Sequence, residues 1–384
     1  MIKLFKILSL FFTALFLFGA LSTAFAYETK KFSSSIPAKS MVLMDSATGE
    51  ILFSHNKDQM LPPASVTKIM TLLLTFEEIE KNNLKYDDVL TVSEYAASMG
   101  GSQVFLEPGE KMTVDELLKC VLIASANDAA VTLAEHIGGN EESFVKMMNE
   151  KAKSLGMKNT NFENTTGLDD DVTNHLTTAY DIALMSQALI KHSKVSEYAT
   201  IWMDSIRNGT FTLTNTNRLV RYYNGITGLK TGSTDKAGFC ISVTAKRDNL
   251  ELIAVVMGAD TSKDRNSLVS QILDFGFSNY EMYNNEGKDV EKIKVKCGVS
   301  EFVNAKYDTT NILENKGNKN KITYKVNTVE SVTAPIMYGD KLGVVEYYLD
   351  GKLICESDIY ATESIEKLSF WEYFLNLTKN LLNI

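Results

Sequence analysis

One stretch organises the rest of the chain, the segment LPPASVTKIMTLLL at residues 61–74. Its two prolines halt any preceding helix and the apolar run after them has helical spacing, so the pattern predicts a helix that starts at Ser65. Lys68 follows three residues later, one turn along the same face, where its amine can reach the Ser65 hydroxyl. Because a partly desolvated lysine can take the proton of a serine, the two residues are a candidate nucleophile and base.

The S-x-x-K pattern has little specificity by itself, since it occurs five times in the chain. The other matches start at Ser54, Ser143, Ser233 and Ser364. Ser65 differs from them in following a proline pair at a predicted helix N-terminus, whose N–H groups favour the negative charge of acyl transfer. Two further motifs downstream support Ser65 over the other matches.

Length and composition indicate a globular protein with two domains. The chain has 384 residues, of which 45% are hydrophobic and 23% are charged. This balance is ordinary for a chain long enough to bury sizeable cores. The formal net charge of -9 and the pI near 5.2 argue against a nucleic-acid-binding protein, and the sequence has no basic block.

Residues 1–26 have the pattern of a signal peptide. Lys3 and Lys6 form the charged start, residues 8–21 are apolar, and residues 24–26 (Ala-Phe-Ala) fit a small-x-small cleavage site. The alternative is a retained membrane anchor, since the apolar run is long. The signal peptide predicts that the mature protein is exported.

Sequence periodicity divides the next part of the chain into a hairpin, a helical region and a sheet. Residues 40–45 and 50–54 predict the hairpin, and the chain then has helical patterns to about residue 200. Thr113 and Thr178 each open such a pattern with a capping box or a close variant. The last patterns predict strands at 228–231, 238–246 and 250–258 and a closing helix at 268–277.

A change of composition near residues 283–288 predicts a domain boundary. The first domain is then 27–282, and short alternating runs predict a small β-rich domain at 283–363. The last segment, 364–384, has its apolar side chains mostly on one helical face and is too polar to span a bilayer. It predicts an amphipathic helix, either on a membrane surface or docked on its own protein.

The second candidate motif is Ser125-Ala126-Asn127, within the apolar helical stretch at residues 117–134. Polar groups that face inward from such a stretch need partners, because burying them unpaired costs stability. One interpretation is a hydrogen-bonded core pair or a helix break. In the catalytic interpretation Ser125 relays a proton, while Asn127 orients Lys68 and the substrate amide.

The third motif, Lys230-Thr231-Gly232, is more specific because K-T-G occurs once in the chain. It lies at the end of a predicted strand, where glycine lets a substrate backbone approach closely. In the functional interpretation Lys230 holds positive charge near the nucleophile and Thr231 binds a substrate carboxylate. The N–H groups of Ser233 and Ser65 then form an oxyanion hole. The alternative is an exposed edge lysine followed by a turn.

The three motifs also occur in a characteristic order. S-x-N begins 60 residues after S-x-x-K, and K-T-G begins 105 residues after that. With these motifs the chain resembles the serine penicillin-binding proteins, and among them the low-molecular-weight D-alanyl-D-alanine carboxypeptidases. Residues 61–71, 156–167 and 228–234 are especially similar to that family, and the similarity covers nearly the whole chain.

The resemblance implies an α+β fold. Its first part is a β-lactamase/transpeptidase-like domain, in which helices and a helical subdomain flank a five-stranded antiparallel sheet. A small β-rich C-terminal domain and a terminal amphipathic helix on the membrane surface are expected to follow. The resemblance thereby implies a peripheral protein at the outer face of the cytoplasmic membrane or in the cell wall.

The resemblance also implies a reaction. Ser65 attacks the carbonyl between the two terminal D-alanines of a peptidoglycan stem peptide, D-alanine leaves, and water hydrolyses the acyl-enzyme. Penicillins mimic this substrate and are expected to acylate Ser65. Lys68 is implied as the base, Ser125, Asn127 and Lys230 complete the hydrogen-bonded cluster, and no metal or cofactor is needed.

The expected substrate-binding residues include a carboxylate site. Arg218 matches an arginine that helps bind the substrate carboxylate in the family, although the surrounding spacing is shorter here, and Arg265 is the other candidate. Ser233 stands where some relatives carry histidine, so the expectation rests on its N–H. The full set of expected binding residues is Asn127, Lys230, Thr231, Gly232, Ser233 and Arg218.

Other functions stay open on the sequence. A class A β-lactamase deacylates through a glutamate, but no E-x-x-L-N follows the second motif, and the nearest glutamate in the loop at residues 155–168 is Glu163. D,D-endopeptidase or transpeptidase activity and an inactive wall-binding protein of the same fold are further alternatives. A Ser-His-Asp hydrolase and a zinc peptidase are disfavoured, because the chain has neither G-x-S-x-G nor an H-x-x-x-H pair.

Overall fold

A computed structural model describes residues 32–169, 172–374 and 378. The predicted signal peptide lies outside the described residues, as does most of the C-terminal segment after Phe374. Among the residues described, no helix is long and apolar enough to cross a membrane, and no group of three or more His, Cys, Asp or Glu side chains is placed to hold a metal ion.

The first domain is built on a five-stranded antiparallel sheet with the strand order β2-β1-β9-β8-β7. Two small hairpins, β3–β4 and β5–β6, lie outside it. The strands are β1 Ser40–Asp45, β2 Ile51–His55, β3 Val89–Thr91, β4 Lys111–Thr113, β5 Met203–Ile206, β6 Phe211–Thr214, β7 Ile226–Thr234, β8 Gly238–Arg247 and β9 Leu250–Ala259.

Helices make up the rest of this domain, as the sequence predicts for the region before residue 200. A 3-10 helix spans Ala64–Thr67. The α-helices are Lys68–Glu80, Glu94–Ala97, Val114–Ile123, Asn127–Gly138, Glu141–Ser154, Ala179–Leu189, Lys194–Ala199, Leu219–Tyr222 and Ser262–Asn279.

Threonine caps start several of these helices. Thr113 forms a full capping box with Glu116, and Thr178 accepts a hydrogen bond from the Asp181 N–H, as predicted. The predicted closing helix is longer than expected, because Thr261 caps it seven residues before the apolar pattern begins. Local capping therefore decides where these helices start, while apolar spacing decides which face they bury.

The central strands are buried on both faces. Helix Ser262–Asn279 covers the face that carries Leu43 and Leu252, since a Cβ at Gly276 would touch both side chains. Helix Ala179–Leu189 covers the opposite face, where the Ser186 and Ser242 hydroxyls lie 2.8 Å apart. This packing leaves β7 at one edge of the sheet, so one side of that strand is open to form a cleft.

The β-rich domain follows helix Ser262–Asn279 directly. Strand β10 begins at Tyr280 and pairs with β15, so the composition change near residue 283 falls inside a strand. Its strands are β10 Tyr280–Asn285, β11 Lys288–Asp289, β12 Ile293–Lys296, β13 Phe302–Val303, β14 Ala305–Tyr307, β15 Thr310–Asn315, β16 Ile322–Thr328, β17 Ser331–Thr333, β18 Lys341–Leu349 and β19 Lys352–Ala361, with a 3-10 helix at Lys319–Lys321.

These strands form a five-stranded sheet ordered β11-β14-β19-β18-β16 and a three-stranded sheet ordered β13-β12-β17. Within the second sheet β12 and β17 are parallel. Alternate apolar side chains such as Ile293, Val295 and Tyr347 point into a shared core. The alternating sequence pattern that predicts this domain therefore corresponds to side chains that point alternately into its core and away from it.

The C-terminal segment starts as extended chain rather than as the helix expected from residue 364. Ile365 pairs with Ile336 and Lys367 pairs with Gly298 in isolated bridges. Ser369 and Glu372 then cap a helical turn, and the chain is helical from residue 370 to residue 374. Phe370 and Trp371 are exposed on this turn.

Candidate active site

The Ser65 turn brings the predicted nucleophile and base together. Ser65 lies in the 3-10 helix Ala64–Thr67, directly before the α-helix that begins at Lys68. The Lys68 Nζ lies 2.8 Å from the Ser65 Oγ, and it also donates to the Thr166 carbonyl at 2.9 Å. Lys68 is completely buried. The predicted contact is present, with Ser65 one turn earlier than the α-helix itself.

Burial changes the chemistry of this amine. It lowers the pKa of Lys68 well below the ordinary value, and the positive charge of Lys230 lowers it further, while Asp128 acts in the opposite direction. This shift favours the neutral form of the amine. Its nitrogen then has a lone pair that can accept the Ser65 proton.

Ser125 lies at a break in the helical stretch predicted across residues 117–134. One helix ends at Ile123 and the next starts at Asn127, with Ser125 between them at φ 65°. This left-handed conformation costs a non-glycine residue about 1–2 kcal/mol. It directs the Ser125 hydroxyl toward the sheet, where its Oγ accepts a hydrogen bond from the Lys230 Nζ at 2.7 Å.

Asn127 is held differently from the expectation. Its Nδ2 donates to the Gly100 carbonyl at 2.7 Å and its N–H donates to the Ser102 carbonyl, so the described hydrogen bonds do not include one to Lys68. Its Oδ1 is buried and has no hydrogen-bond partner among the described residues. The backbone at Gly100 and Ser102 thus fixes Asn127, and the acceptor Oδ1 of this side chain has no hydrogen bond to the described residues.

Lys230 lies in the middle of β7, opposite Ser242 on β8. It is buried, which excludes the alternative of an exposed edge lysine. Burial, followed by the charge of Arg265, lowers the pKa of Lys230 to about 7. Besides Ser125, its Nζ has the Thr231 carbonyl as a partner at 3.0 Å.

Gly232 allows β7 to lie against the Ser65 turn. A Cβ at this position would come within 2.9 Å of the Ser65 nitrogen and within 2.9 Å of the Pro63 carbonyl oxygen. Any side chain would therefore push the strand away from the turn. The absence of one lets Ser65 and Ser233 line the same cleft.

The cleft beside Ser65 has a volume of about 760 Å³. Arg218 and Arg265 both line it, and the Thr231 Oγ1 donates to the Thr216 Oγ1 in its wall at 2.8 Å. Burial, with a contribution from Arg218, lowers the pKa of Arg265 to about 10. Residues from every predicted motif line this cleft, including Ser65, Ser125, Thr231, Gly232, Ser233, Arg218 and Arg265.

The asparagine, threonine and glycine content of residues 155–168 predicts a loop, but not that this loop holds Lys68. Gly167 has φ 83°, and a Cβ there would run into the Ala64 carbonyl oxygen. The neighbouring Thr166 carbonyl binds the lysine, and the buried His175 lies 2.8 Å from the Thr67 Oγ1. The family-like run at residues 156–167 contains this glycine, but nothing in the sequence connects it with His175.

The glutamate that a class A β-lactamase needs is not in the cleft wall formed by the described residues. The Glu163 carboxylate accepts a hydrogen bond from the Asn174 N–H at 2.8 Å. Glu163 lines a separate groove together with Tyr95 and Glu141. Its position does not provide the deacylating group of those enzymes.

The arrangement of the three motifs agrees with the protein families that the chain matches. The sequence model of a family described as D-alanyl-D-alanine carboxypeptidase matches residues 26–261, and one described as penicillin-binding protein 5, C-terminal domain, matches residues 277–367. The chain belongs to the D-alanyl-D-alanine carboxypeptidase family. The predicted family, the enzyme class and the two-part α+β fold are therefore confirmed.

Individual relatives cover most of the chain. The D-alanyl-D-alanine carboxypeptidase DacF of Bacillus subtilis is 42% identical over 374 residues, which are 95% of this chain and 96% of that protein. The structure of penicillin binding protein 5 from Haemophilus influenzae has a TM-score of 0.74 and 30% identity, and the match covers 88% of this chain and all of that one.

A third relative was solved with a β-lactam. Penicillin-binding protein D2 from Listeria monocytogenes, in its ampicillin-bound form, is 33% identical with a TM-score of 0.57. The match covers 64% of this chain and 100% of that one. Family membership makes this chain a cell-wall enzyme that works outside the cytoplasm.

Proposed function

We propose that this carboxypeptidase removes the terminal D-alanine of peptidoglycan stem pentapeptides through an acyl-enzyme on Ser65. The observation that carries the proposal is the 2.8 Å contact between the Ser65 Oγ and the buried Lys68 Nζ. Neutral Lys68 takes the hydroxyl proton as the oxygen attacks the carbonyl between the two D-alanines. The Ser65 and Ser233 N–H groups stabilise the oxyanion of the tetrahedral intermediate.

Ser125 and Lys230 act on the leaving group. The Ser125 Oγ accepts a hydrogen bond from the Lys230 Nζ, so its own proton is free to be donated elsewhere. Ser125 relays a proton to the departing D-alanine nitrogen, and the C–N bond breaks as that nitrogen becomes an amine. The proton that Lys68 took from Ser65 replaces the one that Ser125 gave up, so both side chains return to their starting state, and water then hydrolyses the ester on Ser65 to release the shortened peptide.

The positive end of the cleft selects a substrate with a free carboxylate. Arg218 and Arg265 place cationic groups along it, Thr231 adds a hydroxyl, and the buried Lys230 contacts Ser125 and Thr231 in its wall. A terminal D-alanine carboxylate gains charge-assisted hydrogen bonds there, which a blocked or internal peptide lacks. This requirement favours carboxypeptidase over endopeptidase or transpeptidase action. The Oδ1 of Asn127 is an acceptor for a substrate amide N–H.

The same geometry accommodates β-lactams as covalent inhibitors. Their carboxylate and strained amide resemble the D-alanyl-D-alanine end, so Ser65 opens the ring and remains acylated. Because Glu163 lies outside the cleft wall, it does not supply the base for a fast deacylation of the β-lactamase type. The enzyme is thus inhibited by penicillin rather than destroying it.

The proposed domain limits are 1–26 for the signal peptide, 27–282 for the peptidase domain, 283–363 for the β-rich domain and 364–384 for the terminal segment. The exposed Phe370, Trp371, Tyr373 and Phe374 support a helix that lies on the membrane surface. This contact places the enzyme peripherally on the outer face of the cytoplasmic membrane.

Deletion of residues 369–384 is expected to release the enzyme from membranes with its activity unchanged. Retention of the truncated protein in the membrane fraction would contradict this anchor.

The test is release of D-alanine from a synthetic pentapeptide that ends in D-Ala-D-Ala. The wild-type enzyme is compared with Ser65→Ala, each with and without penicillin, and Ser54→Ala serves as a control at another S-x-x-K match. Release that requires Ser65 and stops with penicillin supports the proposal. Equal release by Ser65→Ala, or rapid hydrolysis of penicillin in the same tube, would refute it.

A further inference from the structure

Residues 163–167 form a loop, here named the base loop, that runs along the start of the Lys68 helix. The Thr165 carbonyl accepts a hydrogen bond from the Thr71 Oγ1 at 2.7 Å, and the Thr166 carbonyl accepts one from the Lys68 Nζ at 2.9 Å. Gly167 packs on the Ala64 backbone. The base loop therefore supplies the backbone oxygen beside the amine of Lys68.

His175 fastens the base loop to the Ser65 turn. Its Nδ1 accepts a hydrogen bond from the Glu163 N–H at 3.0 Å, where the base loop begins. Its Nε2 lies 2.8 Å from the Oγ1 of Thr67, the residue directly before Lys68. The ring is 4% exposed and also packs edge-on against Phe162. One side chain thus spans the two segments that surround Lys68.

The hydrogen bonds fix the tautomer of this histidine. Since the Nδ1 accepts from a backbone N–H, the ring proton is on the Nε2, which donates to the Thr67 Oγ1. Burial lowers the pKa of His175 to about 4, although Glu163, Asp169 and Glu141 act in the opposite direction. The ring therefore stays neutral near pH 7 and does not act as an acid or base.

We propose that His175 is a positioning residue, which holds the base loop in the place where the Thr166 carbonyl binds Lys68. The inference rests on the proposed role of Lys68 as the base. When Lys68 takes the Ser65 proton, its ammonium gains a charge-assisted hydrogen bond to this carbonyl. The other charged groups that act on Lys68 are Asp128, which favours the ammonium, and Lys230, which disfavours it. If the carbonyl moves away, the ammonium loses support and the pKa of Lys68 falls.

Graded substitutions at position 175 test this proposal. His175→Ala removes both hydrogen bonds, while His175→Asn keeps an acceptor for the Glu163 N–H and His175→Gln keeps a donor for Thr67. For His175→Ala we expect kcat/KM for D-alanine release to fall roughly tenfold and its acid limb to move about one pH unit lower. The Asn and Gln variants, each with one bond kept, are expected to show smaller shifts in the same direction.

His192→Gln is the matched control. His192 is also buried and packs on the same helix through Phe76 and Glu80, at its other end from Lys68. This variant is expected to change the melting temperature while leaving the acid limb in place. Melting temperatures of all variants, measured beside the pH profiles, separate a loss of folded protein from a changed base.

A purely structural histidine gives a different result. His175→Ala would then lower the amount of active enzyme without moving the acid limb, or would match the control, and either outcome overturns the proposal. If Lys68→Arg is acylated by penicillin at the wild-type rate, the role of Lys68 as base fails and the proposal fails with it. That result is distinguishable, because it is seen before any substitution at position 175.

Discussion

The two domains differ in what they bury. The domain that carries Ser65 encloses Lys68, Lys230 and Arg265, together with many threonines and other polar side chains. In the β-rich domain the buried polar side chains among the described residues are Asn285 and Glu314, and the rest of the interior is apolar. The same chain thus contains one interior built with charge and another built almost entirely from apolar side chains.

This difference shows which domain gives up stability for chemistry. A buried lysine loses its hydration, and the cost appears as a lowered pKa, which favours the neutral, reactive amine. Among the described residues the β-rich domain has no buried lysine, since its alternating strands place most polar groups outward. Substitutions of the buried charged residues in the first domain should therefore change the rate and its pH profile, whereas substitutions in the core of the second domain should change stability alone.

Apart from Lys68→Arg, the largest effect in this comparison is expected for Lys230→Arg. As pH rises through about 7, Lys230 loses its proton and with it the charge that binds the substrate carboxylate, so the wild-type kcat/KM falls on this alkaline side. An arginine stays charged, so the alkaline limb should move to higher pH. Because the buried site is shaped for an amine, the value of kcat/KM at the optimal pH should fall about 100-fold. Profiles of D-alanine release check both effects.

Lys236→Arg is the control for that measurement. Lys236 is exposed two residues beyond β7 and donates to the Asp169 carbonyl, outside the cleft wall. Its profile should match the wild type. An unchanged alkaline limb in Lys230→Arg would show that the charge of Lys230 does not control this side of the profile.

A smaller effect, on both stability and the rate of acylation, is expected for Gly167→Ala. The new Cβ would meet the Ala64 carbonyl oxygen and the Thr67 Oγ1 in addition to the unfavourable φ of 83°. We expect a loss of roughly 3 kcal/mol of unfolding free energy together with slower acylation. Gly139→Ala, at φ 77° with open space around its Cβ, should cost only about 1 kcal/mol and leave acylation unchanged. Equal losses for the two variants, seen by urea unfolding, would contradict the close packing of Gly167.

The smallest effect is expected in the β-rich domain, for Tyr347→Phe. The Tyr347 hydroxyl accepts a hydrogen bond from the buried Asn285 Nδ2 at 2.9 Å. Removing it leaves that donor unpaired and should cost about 1–2 kcal/mol. Thermal unfolding measures the loss, and kcat/KM for D-alanine release should stay at the wild-type value. A changed pH profile in this variant would break the proposed separation of the two domains.

Much of this architecture follows from sequence periodicity. The strands of the central sheet and the two threonine caps lie where the pattern predicts them, because side-chain alternation and capping are local properties. The small hairpins β3–β4 and β5–β6 are not among the predicted elements. The helix break at Ser125 could not be fixed in this way. Apolar spacing continues across it, and the left-handed backbone at Ser125 and the extended backbone at Ala126 interrupt the helix.

Contacts between distant segments were the harder part of the site. The K-T-G and S-x-N motifs predicted that Lys230 and Ser125 matter, but their direct contact depends on where β7 meets the helical region. Asn127 is bound by Gly100 and Ser102, a segment that carries none of the motifs. The sequence does not predict a role for His175 for the same reason, since its hydrogen-bond partners come from two segments far apart in the chain.

The proposed base is tested most directly by the acylation rate of Lys68→Arg. The wild-type enzyme and this variant are mixed with penicillin, and the covalent adduct is followed by intact mass and located by peptide mapping. An arginine keeps the positive charge but cannot accept the Ser65 proton, because the guanidinium stays protonated. The account predicts rapid acylation on Ser65 in the wild type and a rate at least about 1,000-fold lower in the variant. Acylation of the variant at the wild-type rate, or an adduct on another residue, would contradict it.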